Sequence, residues 1–268
     1  MSGQDAHFVG SIPAVYDDIL GPLMFAPYAD DLAERLVRFG PSSLLEVAAG
    51  TGVVTRALVK ALPAARIVAT DLNDAMLAVA RRAPLAGVTW QHADAQRLPF
   101  ADAEFGAVVC QFGYMFVPDK HAAFREARRV LAPGGRLLFN TWGPLARNEV
   151  TDEIGKSVAR SFPSDPPGFL ARTPFGYHDA ATLESALERA GFEHVEVETV
   201  DKVTRVESAD RVAQGVCLGT PLRSEIEARE PSRLRAVTDA AAAALVARFG
   251  TAPFENRMSA VVVTARRS

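Results

Sequence analysis

Cysteine is scarce: the chain of 268 residues has two, Cys110 and Cys217. They stand far apart without metal-ligand spacing, so no metal centre is expected and both read as reduced thiols in or near the core. An excess of positive charge is also missing. Lys and Arg number 29 against 32 Asp and Glu, and the net charge of −3 leaves no electrostatic footprint for nucleic acid. No apolar run approaches the ~18 residues of a membrane span. Residues 240–247 come nearest and read as an alanine-rich helix. The amino terminus lacks the basic-then-apolar form of a signal peptide. These absences point to a cytoplasmic protein with neither membrane nor nucleic acid as a partner.

What is present is ordinary globular composition, 49% hydrophobic and 23% charged, enough for one core with appendages. Residues 12–39 look helical in pieces, broken at Gly21-Pro22 and at Pro27. Strand patterns at 43–48, 66–70, 88–92, 105–110 and 136–141 alternate with helical ones at 53–62, 74–82 and 120–131. Asp74 is the expected cap of the second of these helices, and Pro133-Gly134-Gly135 the expected turn after the third. This alternation predicts an α/β fold, a doubly wound, mostly parallel sheet with right-handed crossovers. Residues 143–179 read as a loop-rich, aromatic lid. A helix over 180–190, an alternating strand at 193–203, helical patterns over 209–249 and a last apolar strand at 259–265 complete the chain. The expected division is an N-terminal helical cap (1–42), a ligand-binding core (43–142), a lid and acceptor region (143–190), and a final part (191–268) of the same domain carrying inserted helices at 208–256. That insertion either extends the lid's pocket or forms a homodimer contact.

The most informative stretch is Leu44-Leu45-Glu46-Val47-Ala48-Ala49-Gly50-Thr51-Gly52, an apolar strand running into an acid and a glycine turn. Asp71 closes a second apolar run 19 positions past Gly52. That layout suits a nucleoside, with glycines admitting the ligand and the distant carboxylate taking the ribose hydroxyls. A dinucleotide site ordinarily has a third glycine, where this chain has Thr55, and Glu46 would lie close to the pyrophosphate at a cost in binding energy. Glu46, Asp71 and Asp94 all stand at strand ends. Three acids on one rim favour a net-positive nucleoside, S-adenosylmethionine, over NAD. The alternatives are an NAD-dependent oxidoreductase and a non-methylating protein that binds S-adenosylmethionine.

Glu46-Val47-Ala48-Ala49-Gly50-Thr51-Gly52, Ala69-Thr70-Asp71-Leu72, His92-Ala93-Asp94-Ala95 and Arg129-Val130-Leu131-Ala132-Pro133-Gly134-Gly135 resemble, in order and spacing, the motifs of class I S-adenosylmethionine-dependent methyltransferases. The branch most resembled is that of the quinone C-methyltransferases. The resemblance implies a seven-stranded Rossmann-like sheet with helical lid insertions, its last two strands partly antiparallel, and S-adenosylmethionine as cofactor. Glu46 would hold the cofactor's amino group and Gln111 would offer a carbonyl to it. The backbone at Ala48, Gly50 and Gly52 would pass beneath the methionine and ribose. Asp71 would take both ribose hydroxyls, Leu72 and Met76 would pack on the adenine, Asp94 would accept from the exocyclic amine and the Ala95 amide would donate to the ring. The family usually has glycine where Ala48 stands, so its methyl group narrows the cleft and tunes affinity.

Methyl transfer from a sulfonium is an in-line displacement with an activated leaving group, so alignment matters more than acid–base chemistry. If a base acts, His178 in the lid is the candidate. His121 starts a helix, His92 faces the adenine side, and His7 and His194 read as surface residues. The Asp/Asn-Pro-Pro-aromatic motif of enzymes that methylate exocyclic amines of DNA bases is absent after strand four; Asp165-Pro166-Pro167-Gly168 falls after strand five and reads as a lid turn. Tyr16, Met24, Phe25, Tyr28, Phe116, Trp142, Phe169, Phe175 and Tyr177 are the expected walls for a flat or greasy acceptor such as a phenol, quinol or polyketide.

Overall fold

The computed structural model describes residues 8–268, so His7 and the terminal segment 1–5 lie outside the described residues. A seven-stranded sheet has the order β3-β2-β1-β4-β5-β7-β6, with β1 (Ser43–Val47), β2 (Arg66–Asp71), β3 (Val88–His92), β4 (Phe105–Gln111), β5 (Leu131–Trp142), β6 (Glu193–Val206) and β7 (Phe254–Arg266). The first five strands are parallel; β7 runs antiparallel to both β5 and β6. Strand order reverses between β1 and β4, which opens a crevice at their carboxyl ends. β4 shows why the sheet is covered on both faces. Val108 packs into the cluster of Phe124, Val130 and Leu187, and Val109 into that of Leu32, Leu36 and Leu58.

At the amino end, α1 (Ile12–Val15), a π-helical stretch (Tyr16–Phe25) and α2 (Ala26–Val37) run without interruption. The expected breaks at Gly21-Pro22 and Pro27 do not occur. Pro22 lies inside the π-helical stretch, where the Ala26 amide reaches back to the Gly21 carbonyl, and the wider winding absorbs the missing donor. Pro27 sits in the first turn of α2, the part of a helix that tolerates proline best. The crossover helices are α3 (Val53–Ala61), α4 (Asp74–Ala80) and α5 (Lys120–Val130). Asn73, not Asp74, caps α4, its Oδ1 accepting from the Ala75 and Met76 amides. The Pro-Gly-Gly turn is instead the irregular start of β5, where Gly134 donates to Arg267 and Arg267 donates to Gly135.

Residues 143–179 are less loop-like than their sequence suggests. They contain α6 (Glu149–Ser161) and the short α7 (Phe169–Arg172), followed by α8 (Ala180–Arg189). The insertion forms α9 (Ala209–Leu218), α10 (Leu222–Arg229) and α11 (Leu234–Phe249). Its apolar side chains Val216, Ile226 and Leu245 join Ile154 of α6 and Leu20 and Met24 of the π-helical stretch in one further core. That helical layer covers the carboxyl side of the sheet. Among the described residues no helix is long and apolar enough to cross a membrane.

Candidate active site

The crevice between β1 and β4 opens into a cleft of ≈ 570 Å³ lined by Ala48, Gly50, Asp71, Leu72, Asn73, Met76, Asp94, Ala95, Gln111 and Phe112, with Phe8, Tyr16 and Phe116 across the opening. That volume lies in the range of small-molecule sites. A recess of ≈ 30 Å³ beside it contains Glu46 and shares Tyr16, Ala48, Gly50 and Gln111 with the cleft. The structure thus brings together at one rim all the sequence-derived cofactor residues except Gly52.

Glu46 is 1% exposed, and its Oε2 accepts from the Thr55 hydroxyl at 2.6 Å. Thr55 occupies the position of the absent third glycine, so the residue that breaks the dinucleotide pattern also holds the acid in place. Burial pushes the Glu46 carboxyl up to about 8, against the Thr55 bond, which pulls it down. Burial likewise raises Asp71, opposed by the Asn73 and Gly50 amides. These amides donate to Oδ1 at 2.7 Å and to Oδ2 at 2.8 Å. Asp71 therefore shapes the glycine turn, and each oxygen keeps a further lone pair for a ligand. Asp94 is held by the Gln96 amide at 2.8 Å. Gln111 donates through Nε2 to the Phe25 carbonyl at 3.2 Å, and its Oε1 is buried with no partner among the described residues. The carboxyl groups of Glu46 and Asp71, which burial discourages from ionising alone, and an unused carbonyl fit a ligand that brings positive charge and donors. A pyrophosphate would add repulsion to acids already disfavoured by burial. Leu72 is 56% exposed at the rim opposite buried Met76.

Beneath the cleft lies an apolar cavity of ≈ 60 Å³, walled by Tyr16, Leu20, Met24, Phe25, Phe112, Phe116, Trp142, Phe169, Leu170, Phe175 and Val216, with Thr151 and Thr220 as polar neighbours. Phe112 stacks on Trp142 at 3.9 Å between ring centres. It does so at φ +50, a conformation L side chains rarely adopt, with its amide held by Asn140 Oδ1 at 2.9 Å. Of the expected acceptor walls, Tyr16, Phe116 and Trp142 reach this cavity. Tyr28 does not: it is buried behind the stack, edge-on to Phe112 and Trp142, with its hydroxyl donating to the Val200 carbonyl. Tyr177 also lies outside both cavities, its ring under the Lys120 ammonium at 4.8 Å. His178 lines neither cavity and its Nδ1 sits 2.9 Å from the Phe175 carbonyl, so the base expected there is not brought to the site. Gly52 begins α3 at φ +82, and a Cβ there would come within 2.8 Å of the Trp90 ring. Gly52 packs against that ring and lines neither the cleft nor the recess.

Sequence reasoning missed Phe8, Asn73, Phe112, Thr151, Val216 of α9 and Thr220 just after it. The last two place the insertion in the cavity wall. Thr151 carried a readable signal, since Val150, Ile154 and Val158 repeat every four residues and are buried; Phe8 carried none.

Residues 45–139 match the family described as methyltransferase domain. The chain is 35% identical over 174 residues to the ubiquinone/menaquinone biosynthesis C-methyltransferase of Idiomarina loihiensis, an alignment covering 59% of this chain and 68% of that protein. It is 32% identical over 204 residues to the protein of the same description from Burkholderia mallei, covering 70% and 83%. Phosphoethanolamine N-methyltransferase 2 of Haemonchus contortus, solved with phosphomonomethylethanolamine and S-adenosylhomocysteine, shares the fold at a TM-score of 0.61 and 19% identity, over 98% of this chain and 59% of that one.

Proposed function

Because the chain belongs to the class I S-adenosylmethionine-dependent methyltransferases and is quinone C-methyltransferase-like in sequence, we propose that its methyl acceptor is a small, uncharged, apolar or aromatic molecule held in the aromatic cavity beneath the cofactor cleft. The enzyme transfers a methyl group from S-adenosylmethionine to a small molecule; nothing in the comparisons supports an oxidoreductase.

Glu46 and the free Gln111 carbonyl would hold the cofactor's amino group, with Ala48 and Gly50 beneath the methionine portion. Asp71 would use its remaining lone pairs on the ribose, Leu72 and Met76 would flank the adenine, and Asp94 and the Ala95 amide would meet its polar edge. Bound there, the cofactor supplies an electrophilic methyl group on a sulfur that leaves readily. The chain's own contribution is alignment and exclusion of water. Tyr16, Phe112 and Phe116 belong to both cavities, so an acceptor against them lies next to the cofactor cleft. Among the described residues Tyr16 is the cavity wall's one titratable side chain, and burial together with Asp71 keeps its hydroxyl protonated. Such a site orients a nucleophile and does not deprotonate it.

The observation that carries the acceptor class is a cavity wall that has no ionised side chain among the described residues, which would leave a carboxylate, phosphate or ammonium on the acceptor unpaired. The test is transfer of labelled methyl from S-adenosylmethionine to a panel of neutral phenols and quinols and of charged amines and phosphates. Label in the neutral set is expected; label confined to charged acceptors overturns the reading.

A further inference from the structure

The aromatic cavity is too small for the molecule assigned to it. An engineered apolar cavity of ~150 Å³ takes up benzene, whereas this one measures ≈ 60 Å³. Some wall must move before a ring enters. Most walls are locked in the core: Trp142, Phe169, Phe175 and Leu20 are all buried. The side chains shared with the cofactor cleft are Phe8, Tyr16, Phe112 and Phe116. Phe112 is buried and fixed by Asn140 and Trp142. Tyr16 is stacked on Phe25 at 4.6 Å and belongs to the continuous amino-terminal helix.

Phe8 is different. It precedes the first helix, and its ring is half-buried, wedged edge-on between Tyr16 at 5.8 Å and Phe116 at 5.9 Å. Among the described residues its backbone has one hydrogen bond, from Asn73 Nδ2 to the Phe8 carbonyl at 3.0 Å. Asn73 also donates its amide to Asp71 and caps α4. The wedge is therefore tethered to the residue beside the carboxylate assigned to the ribose.

We propose that Phe8 is a specificity-determining residue for methyl transfer: its ring is the movable partition between the cofactor cleft and the aromatic cavity, and its withdrawal joins the two into a space that admits the acceptor. Asn73 sets its closed position. The inference rests on the acceptor reading above and goes beyond it by naming the part that moves. Closed, the ring keeps the cavity dry; withdrawn, it limits which acceptors fit by their bulk.

The test uses the full chain saturated with S-adenosylhomocysteine and 1-naphthol as a neutral aromatic probe, followed by quenching of tryptophan fluorescence in a stopped-flow instrument. Binding that must wait for a conformational change is slow, so Phe8→Ala is expected to raise the association rate by about tenfold or more. The variant is also expected to shift preference from phenol toward naphthol. Asn73→Asp keeps the cap but loses the donor to Phe8, and is expected to raise the rate in the same direction. Thermal shift with S-adenosylhomocysteine checks that each variant is folded. Equal association rates and an unchanged size preference in folded Phe8→Ala overturn the partition and leave the acceptor reading standing. Naphthol binding to neither protein overturns both.

Discussion

Ala48 and Gly113 occupy one space between them: a Cβ added to Gly113 would come within 2.5 Å of the Ala48 Cβ. Ala48 itself holds φ +54, in the region where glycine is at ease. The methyl group that distinguishes this chain from the family's usual glycine is thus fitted against a second glycine across the crevice. Ala48→Gly relieves the backbone, worth ~1 kcal/mol, and is expected to raise the thermal midpoint. Gly113→Ala is expected to destabilise, and less so when Ala48→Gly is present. For residues in contact the cycle should show a coupling of at least ~0.5 kcal/mol; additive denaturation midpoints would remove the relationship.

Glu46 makes cofactor affinity depend on pH. With the carboxyl held near 8 in the free protein, an ammonium ligand must expel its proton in order to pair with it. Affinity for S-adenosylhomocysteine is expected to rise between about pH 6 and 7.5, by up to tenfold per unit. Calorimetric titration at several pH values measures this, and Glu46→Gln should abolish the slope. Stability of the ligand-free protein moves the opposite way. A raised folded-state value means that the contribution is complete below the ordinary 4.5 and is lost as pH rises through about 8. Thermal midpoints of wild type and Glu46→Gln should diverge across that window.

Asp71 serves both the turn and the ligand, so a truncation would confuse the two. Asp71→Asn retains an acceptor for the Asn73 amide and places a donor opposite the Gly50 amide. Hydrogen bonds to a charged group are worth ~1.5–3 kcal/mol, so the dissociation constant of S-adenosylhomocysteine should rise about tenfold or more. An unchanged constant in a folded variant would end its assignment to the ribose.

His178 is expected to be dispensable. Loss of a general base typically costs about 10²–10⁴ in rate, whereas His178→Ala should stay within about twofold of wild type in methyl transfer to whichever neutral acceptor is active. A hundredfold loss in a folded variant would restore it as a base.

The parts of this protein that were readable in sequence are those built from neighbours along the chain. Strand, glycine turn and helix around Glu46 follow one another within ten residues, and the acids at strand ends need only the sheet to bring them to one rim. The order of the sheet follows from the alternation of patterns. The acceptor cavity is another matter. Trp142 from β5, Tyr16 from the amino-terminal helix and Val216 from the insertion meet only because three distant segments pack together, and no local pattern encodes that. Tyr28 and Tyr177 carry the same side chain as Tyr16, yet face a strand carbonyl and a lysine. The close approach of Trp90 to Gly52 is hidden for the same reason, since the two lie two strands apart in sequence. The break expected at Pro22 fails because proline forbids regular winding, not helix as such.

That irregular winding has a consequence for how this wall of the site could have arisen. An α-helix turns roughly 100° with each residue, and a π-helical stretch is what remains when an extra residue is accommodated without unravelling its surroundings. Deleting Gly21 would take out one residue's rotation and turn everything before it, Tyr16 and Phe8 included, by roughly a quarter-turn about the axis relative to α2. Two aromatic faces of the reaction chamber thus hang on the presence of one amino acid that has no side chain to place in it.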